Sequence, residues 1–459
     1  MNFKHLLFTS VLVLAAGFAG VKTWSYYHMP TLRAEVSDIY PGYLGFYLKE
    51  YDAHGVRNSA WDGAMHVLIK EVIYDWYSNQ PTCRPRLLAQ FHKLFSAQCN
   101  DPLYLWFSSK YWWDRTDGPR EEENFSKAFL AMRDSGYSPA LKFQLAVGAA
   151  NELACRGDEE KKRLALKLRA QAFDYLLEAI ADPAVPAQVI AAPAEGYFEW
   201  AEDNLSLAEV HRLDQRLEEA VNQYRQDQSL LIRTLGAARL TLAWCERGTG
   251  YANTVTPEGA AGFARNLEVA RGLLERSWDL RPSSIAACHR MNVELGQGAG
   301  RETMELWFQR AMQLDPECKT ACDIKLNYLR PRWYGSEAEV IKFGGECVEN
   351  PSWRGRVPLV LVQAVVYYVQ DQPESEQAKL WSDAAIWGQM RKSYQTYLKK
   401  HPEDLQVQHE YLTSAYKASA WDDFGRQVKS MGSVSSRYLS METLNKMMGD
   451  YSAYLGSQP

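Results

Sequence analysis

Apolar side chains along this chain recur at steps of three and four residues over most of its length. The pattern is clear over residues 62–76, 84–98, 121–133, 140–155, 158–181, 205–224 and 229–247. A step of that size gathers apolar groups on one face of a helix and gives that face a core to cover. Pro and Gly interrupt the pattern at Pro81, Pro102, Gly118, Pro119, Gly136, Gly157 and Pro183, residues that end helices and open turns. The spacing is helical nearly throughout, so the predicted fold class is all-α, with no sheet beyond an incidental hairpin.

The first departure from this pattern is at the N-terminus. Lys4 and His5 precede an apolar run over residues 6–21, broken only by Thr9, Ser10 and small residues. A short positive region before an apolar core of that length reads as an export signal. Gly17 and Ala19 are small residues at the spacing of a cleavage site. Trp24, Tyr26 and Tyr27, just beyond, resemble an interfacial aromatic anchor, and a retained run of this length spans a bilayer only marginally. Residues 1–21 are therefore predicted to be a signal peptide or an N-terminal membrane anchor. The expected location is periplasmic or secreted, with inner-membrane anchoring through residues 6–21 if the segment is retained. No Cys follows the run to carry a lipid.

Between residues 257 and 350 the chain repeats itself. Residues 263–282 and 301–316 are both amphipathic and both end in Leu-x-Pro, and Pro282 and Pro316 stand 34 residues apart. Pro351 comes at nearly the same interval. With the two prolines at position 32 of a repeat, position 27 holds Ser277 and Ala311, position 24 Leu274 and Phe308, and position 20 Ala270 and Met304. Small residues let helices approach closely and the large one fills the groove between them. Pro stops the second helix by withholding a donor and clashing with the preceding turn.

On these residues the stretch resembles the tetratricopeptide repeat family, whose period is about 34 residues. Met304 is bulkier than that family's pattern. The resemblance implies stacked antiparallel helix pairs in a tetratricopeptide-like solenoid, preceded by an irregular helical N-terminal half. A degenerate match covers residues 394–402 and the following helix 405–417, with Tyr397 where a small residue is preferred. Pro351 and Pro402 are too far apart for one repeat, so an insertion is expected there, including residues 370–376. Residues 359–369 are rich in Val and Tyr and in isolation have a strand reading; their place in the repeat predicts a buried helix. Three Pro and many Ala near residues 182–196 suggest a linker, giving an irregular helical domain over 31–181 and a repeat domain over 197–455.

Residues 329–343 join the two helices of one repeat. Pro331 ends the first, Gly335 turns the chain, and Ser336 with Glu339 forms a capping box that opens the second. This stretch resembles the Pro-Arg-Trp-x-Gly-Ser segment of uncharacterised bacterial proteins with tetratricopeptide-like helices, a resemblance that carries fold and no activity.

Composition adds exclusions. The chain of 459 residues is 46% hydrophobic and has a net charge of −5, the profile of a folded protein without the basic footprint of a nucleic-acid binder. No metalloprotease, phosphate-loop or nucleophile-elbow pattern occurs, so no catalytic residue, metal site or cofactor is expected. The resemblance implies instead a concave face for a protein or peptide ligand, lined in the clearest repeats by His289, Asp323, Asn327 and Arg330. Asp323, Asn327 and Arg330 follow the i, i+4, i+7 spacing of one stripe, and Arg330 has the geometry to clamp a carboxylate. The expected role is a binding adaptor. The alternatives are an enzyme assembled in the N-terminal half around His54, Asp62 and His66, or a purely structural oligomer. The repeat register also sets Cys347 near Cys322 and Cys318, which permits either a disulfide from Cys347 to one of them or three buried thiols.

Overall fold

The computed structural model describes residues 33–78, 84–111, 121–155, 158–224, 228–248, 250, 252–298, 300–431 and 439–457. Among the described residues every regular element is helical and there is no strand. The chain forms two compact units, Met1–Gln297 and Gly298–Pro459.

The first unit holds α1 (Arg33–His54), α2 (Asp62–Ser78), α3 (Arg84–Ser96), α4 (Pro102–Tyr111), α5 (Glu121–Arg133), α6 (Pro139–Cys155), α7 (Glu159–Ala181), α8 (Ala187–Asn204), α9 (Leu207–Gln223), α10 (Gln228–Arg247), α11 (Pro257–Leu280) and α12 (Ser284–Gln297). One apolar cluster runs through it from Tyr43 to Ala238. The helix α10 is buried on nearly every side from Ser229 to Ala238, a stretch apolar but for Ser229, Arg233 and Thr234. Gly236 lets α11 come close: a Cβ there would lie 2.8 Å from Leu274. Asp158 caps α7 and Thr256 caps α11, each side chain accepting a first-turn N–H, which removes an otherwise orphaned donor.

The stretch expected to be a linker is mostly the start of α8. Pro186 is its N-cap and Pro193 lies inside it. Burial of Ala187, Val189, Ile190, Ala191 and Ala194 holds the helix together across a proline that would break an isolated one. The chain divides instead at Gln297 and Gly298.

The second unit holds α13 (Arg301–Leu314), α14 (Lys319–Tyr328), α15 (Glu337–Glu349), a 3₁₀ turn (Val357–Leu359) leading into α16 (Val360–Gln370), α17 (Glu374–Trp381), α18 (Ala384–Leu398), α19 (Leu405–Lys417), α20 (Trp421–Met431) and α21 (Met441–Gly456). The Val- and Tyr-rich segment is thus helical. Phe308 packs edge-on against Phe343 and Trp353, with ring centroids 5.6 and 5.7 Å away. The expected turn is present: the Ser336 side chain accepts from Glu339 N, and a Cβ on Gly335 would lie 2.3 Å from the Leu329 carbonyl oxygen, which only glycine tolerates. Within the interval where an insertion is expected lies α17, none of whose residues is fully buried. No described helix is long and apolar enough to cross a membrane; the apolar run over residues 6–21 lies outside the described residues.

Candidate functional site

On α14, Cys322, Leu326 and Leu329 are buried, while Asp323 and Asn327 on the adjacent stripe are half-buried. Both already have partners. The Lys319 ammonium donates to the two Asp323 oxygens at 2.7 and 2.6 Å. Desolvation pulls that ammonium down, but the charge and hydrogen bonds of Asp323 outweigh it and the net direction is upward. Asn327 accepts from Arg332 at 3.1 Å.

Arg330 is buried, and its guanidinium stacks over Tyr367 with 4.1 Å to the ring centroid. Its Nε donates to Asp371 Oδ2 at 3.0 Å and its Nη2 to Asp371 Oδ1. The fork expected to clamp a ligand carboxylate is thus closed by a carboxylate of the same chain. Asp371 caps the C-terminus of α16.

His289 belongs to the first unit and joins a different cluster. Its Nε2 is 3.4 Å from Glu195, which accepts from Arg233 Nε at 2.8 Å. Arg233 also reaches Ser283, the residue before α12. Burial alone would raise the Glu195 carboxyl; Arg233 and His289 together overturn that and hold it at about 2. These charges satisfy one another inside the unit, as buried ions must.

A polar surface that the sequence did not reveal lies on α16 and α19. Residues 406, 410, 413 and 417 step along one face of α19, whose other side buries Val407, Tyr411, Leu412 and Ala415. The Arg356 guanidinium donates to Asp404 at 2.8 Å and to Gln406 at 3.1 Å, and Gln406 donates to Glu410 at 2.7 Å. Glu410 is solvent-exposed, yet desolvation is the largest influence on its carboxyl and drives it up. Lys417 is exposed too, and desolvation drives its ammonium down. Protein atoms close to both side chains withdraw part of their solvation.

Charges from α14, α19 and the segment before α16 act on one another at this surface. The Lys319 ammonium is acted on by Glu410, and Glu410 by Arg356 and Lys319. The Tyr367 phenol on α16 is raised by burial and by Asp323, against the pull of Arg330 and Lys319. One turn before Tyr367, the half-buried Gln363 has an enclosed Nε2 with no hydrogen-bond partner. A buried donor left unmet costs about 1–3 kcal/mol, so its place needs an explanation.

Near the α14 stripe, Cys318, Cys322 and Cys347 are buried cysteines outside any disulfide. Burial pushes the Cys322 thiol well up, and a hydrogen bond with Cys347 adds to it.

The N-terminal candidates are close together but committed locally. His66 Nε2 is 2.9 Å from Asp52 and its Nδ1 2.8 Å from the Asp62 carbonyl oxygen. The Asp62 carboxylate accepts from Tyr51, Arg57 and Asn58 N, pinning the loop between α1 and α2. His54 is exposed and sits edge-on to Tyr137. The chain matches no known protein-family profile and no curated protein.

Proposed function

We propose that this chain is an extracytoplasmic helical-repeat adaptor of the tetratricopeptide kind, and that the polar surface on α16 and α19 of its second unit holds an extended segment of a partner protein. The observation that carries this reading is the unmet Gln363 amide, set among exposed yet desolvated charges. An extended segment leaves its own carbonyl groups free, and one of them completes Gln363. Lys319, Asp323 and Tyr367 form one wall of the binding surface, and Gln406, Glu410 and Lys417 the other. His289 and Arg330 serve the fold in this reading, while Asp323 and Asn327 border the ligand. The N-terminal run over residues 6–21 supports a periplasmic or secreted location.

The test is selection of a phage-displayed random dodecapeptide library on the chain, with affinities of enriched peptides measured by fluorescence anisotropy. Gln363→Leu keeps the side-chain size and removes the donor. It should weaken binding about three- to tenfold, the worth of one hydrogen bond, at a melting temperature no lower than that of wild type, because the unmet buried donor is gone. Failure to enrich any peptide, or affinities indifferent to Gln363→Leu, would refute the reading.

A further inference from the structure

Three sulfur atoms meet in the core of the second unit. The Cys322 Sγ on α14 is 3.8 Å from the Met312 Sδ on α13, and it shares a hydrogen bond with the Cys347 thiol on α15. All three side chains are buried, Cys322 and Cys347 completely. Each sulfur comes from a different helix, so the packing of three consecutive helices makes the group. No metal-binding spacing in the sequence marks it.

The donors are selective in kind. Thiolate and thioether groups are soft and polarisable, and they favour Cu(I) over harder divalent ions. Zinc takes four ligands drawn from thiolate, imidazole and carboxylate. Among the described residues no three His, Cys, Asp or Glu side chains group so as to hold an ion. The third donor of this trio is a thioether, which is outside zinc's usual set. The spacing suits a smaller coordination number. A metal–sulfur bond of about 2.3 Å, the length of a zinc–thiolate bond, sets the three sulfurs of a trigonal plane about 4.0 Å apart. The Cys322–Met312 separation of 3.8 Å is close to that, so a cation enters without a large shift of the helices.

We propose that Cys322, Cys347 and Met312 form a trigonal binding site for one Cu(I) ion. Both thiols lose their protons to solvent, two copper–thiolate bonds form, and the Met312 thioether adds a neutral third donor. The oxidation state of copper and sulfur does not change. Cys318, one turn before Cys322, is the N-cap of α14 and stays outside the ligand set. Lys319 and Asp323 act on Cys322 from its own helix; they are paired with each other at 2.6 Å, so their charges largely cancel at the site. Burial keeps the Cys322 thiol protonated in the metal-free chain, and copper uptake therefore releases protons.

The reduced full chain is titrated anaerobically with the coloured bathocuproine chelate of Cu(I). One equivalent should leave the chelator, with growth of a thiolate-to-copper absorption in the ultraviolet. The affinity should rise about a hundredfold per pH unit near neutrality, a factor of about ten for each proton released. Met312→Leu preserves the core volume; it should keep the stoichiometry and weaken retention about tenfold or more. Cys347→Ala should withdraw no copper, Cys318→Ala should behave as wild type, and excess Zn(II) should displace none of the bound ion. Uptake of less than one equivalent by wild type would overturn the site, as would uptake unchanged in Cys347→Ala, uptake lost in Cys318→Ala, or displacement by Zn(II). If Cys347→Ala does not fold, Met312→Leu decides: retention equal to wild type overturns the assignment.

Discussion

Arg330→Ala offers the sharpest test of the structural assignments. Arg330 is 6% exposed and its Asp371 partner's side chain is 20% exposed. Removing the guanidinium leaves that carboxylate without its partner. Breaking one side of a buried pair costs about 3–5 kcal/mol. Asp371 keeps some water, which places the expected cost near the lower end, about 3 kcal/mol. In a cooperative block of 150–250 residues, each kcal/mol moves the melting temperature by about 2–4 °C. The transition of the second unit should therefore fall by about 6–12 °C, read by calorimetry and by circular dichroism at the helix band. Arg330→Ala/Asp371→Ala should recover part of the loss, because no charge is then left alone, and the double-mutant cycle should give a clear coupling energy. A melting temperature within about 2 °C of wild type, or strictly additive single losses, would refute the pairing. The sequence pattern alone predicts the opposite, a solvent-facing Arg330 whose loss the fold barely registers.

Two further outcomes follow from buried groups. The Glu195 carboxyl sits at about 2 against an ordinary 4.5, so the unfolded chain takes up that proton first. Its stabilisation is complete above about pH 4.5 and is lost as pH falls toward 2, a change on the order of 3 kcal/mol. Urea midpoints at pH 7 and pH 3 should fall further for wild type than for Glu195→Gln, and equal falls would reject the assignment. Cys322 and Cys347 should join when the protein is exposed to a protein-disulfide oxidant, each thiol giving up its proton while the oxidant's disulfide is reduced to two thiols. The bond is worth about 2–4 kcal/mol; mass mapping without reduction that finds a free thiol at Cys347 after such treatment would exclude it.

The local features were readable because neighbours in sequence set them. The helical period, the Pro282 and Pro316 stops, the Ser336 cap and the need for glycine at Gly335 each depend on residues within a turn or two, and each is present. The same holds for the sparing of Asp323 and Asn327 from the core beside Cys322 and Leu326. Arg330 was not readable in this way. Its partner Asp371 is 41 residues on, and no periodicity connects them. Pro193 misled for a related reason: its effect on a helix is local, but the burial of Ala187, Ala191 and Ala194 that overrides it comes from packing across the first unit. The polar stripe of α19 has a visible i, i+4, i+7, i+11 spacing in the sequence. It was hidden by the degenerate repeat around Tyr397, which withheld the register that would have set Glu410 beside Lys319.

No residue of the helix α17 is fully buried, and this bears on where the chain can change length. An element without core contacts can be trimmed, extended or exchanged at little more than the entropy of closing a longer loop, about 0.6 kcal/mol per doubling. The neighbouring α16 buries Val360, Leu361, Ala364, Val365 and Val369. One residue added there would rotate everything beyond it by about 100°, taking Gln363 and Tyr367 off the face they share. Insertions and deletions are therefore tolerated between Glu374 and Trp381 far better than a few residues earlier, so the chain can vary in size at this interval while the polar face of α16 stays the same.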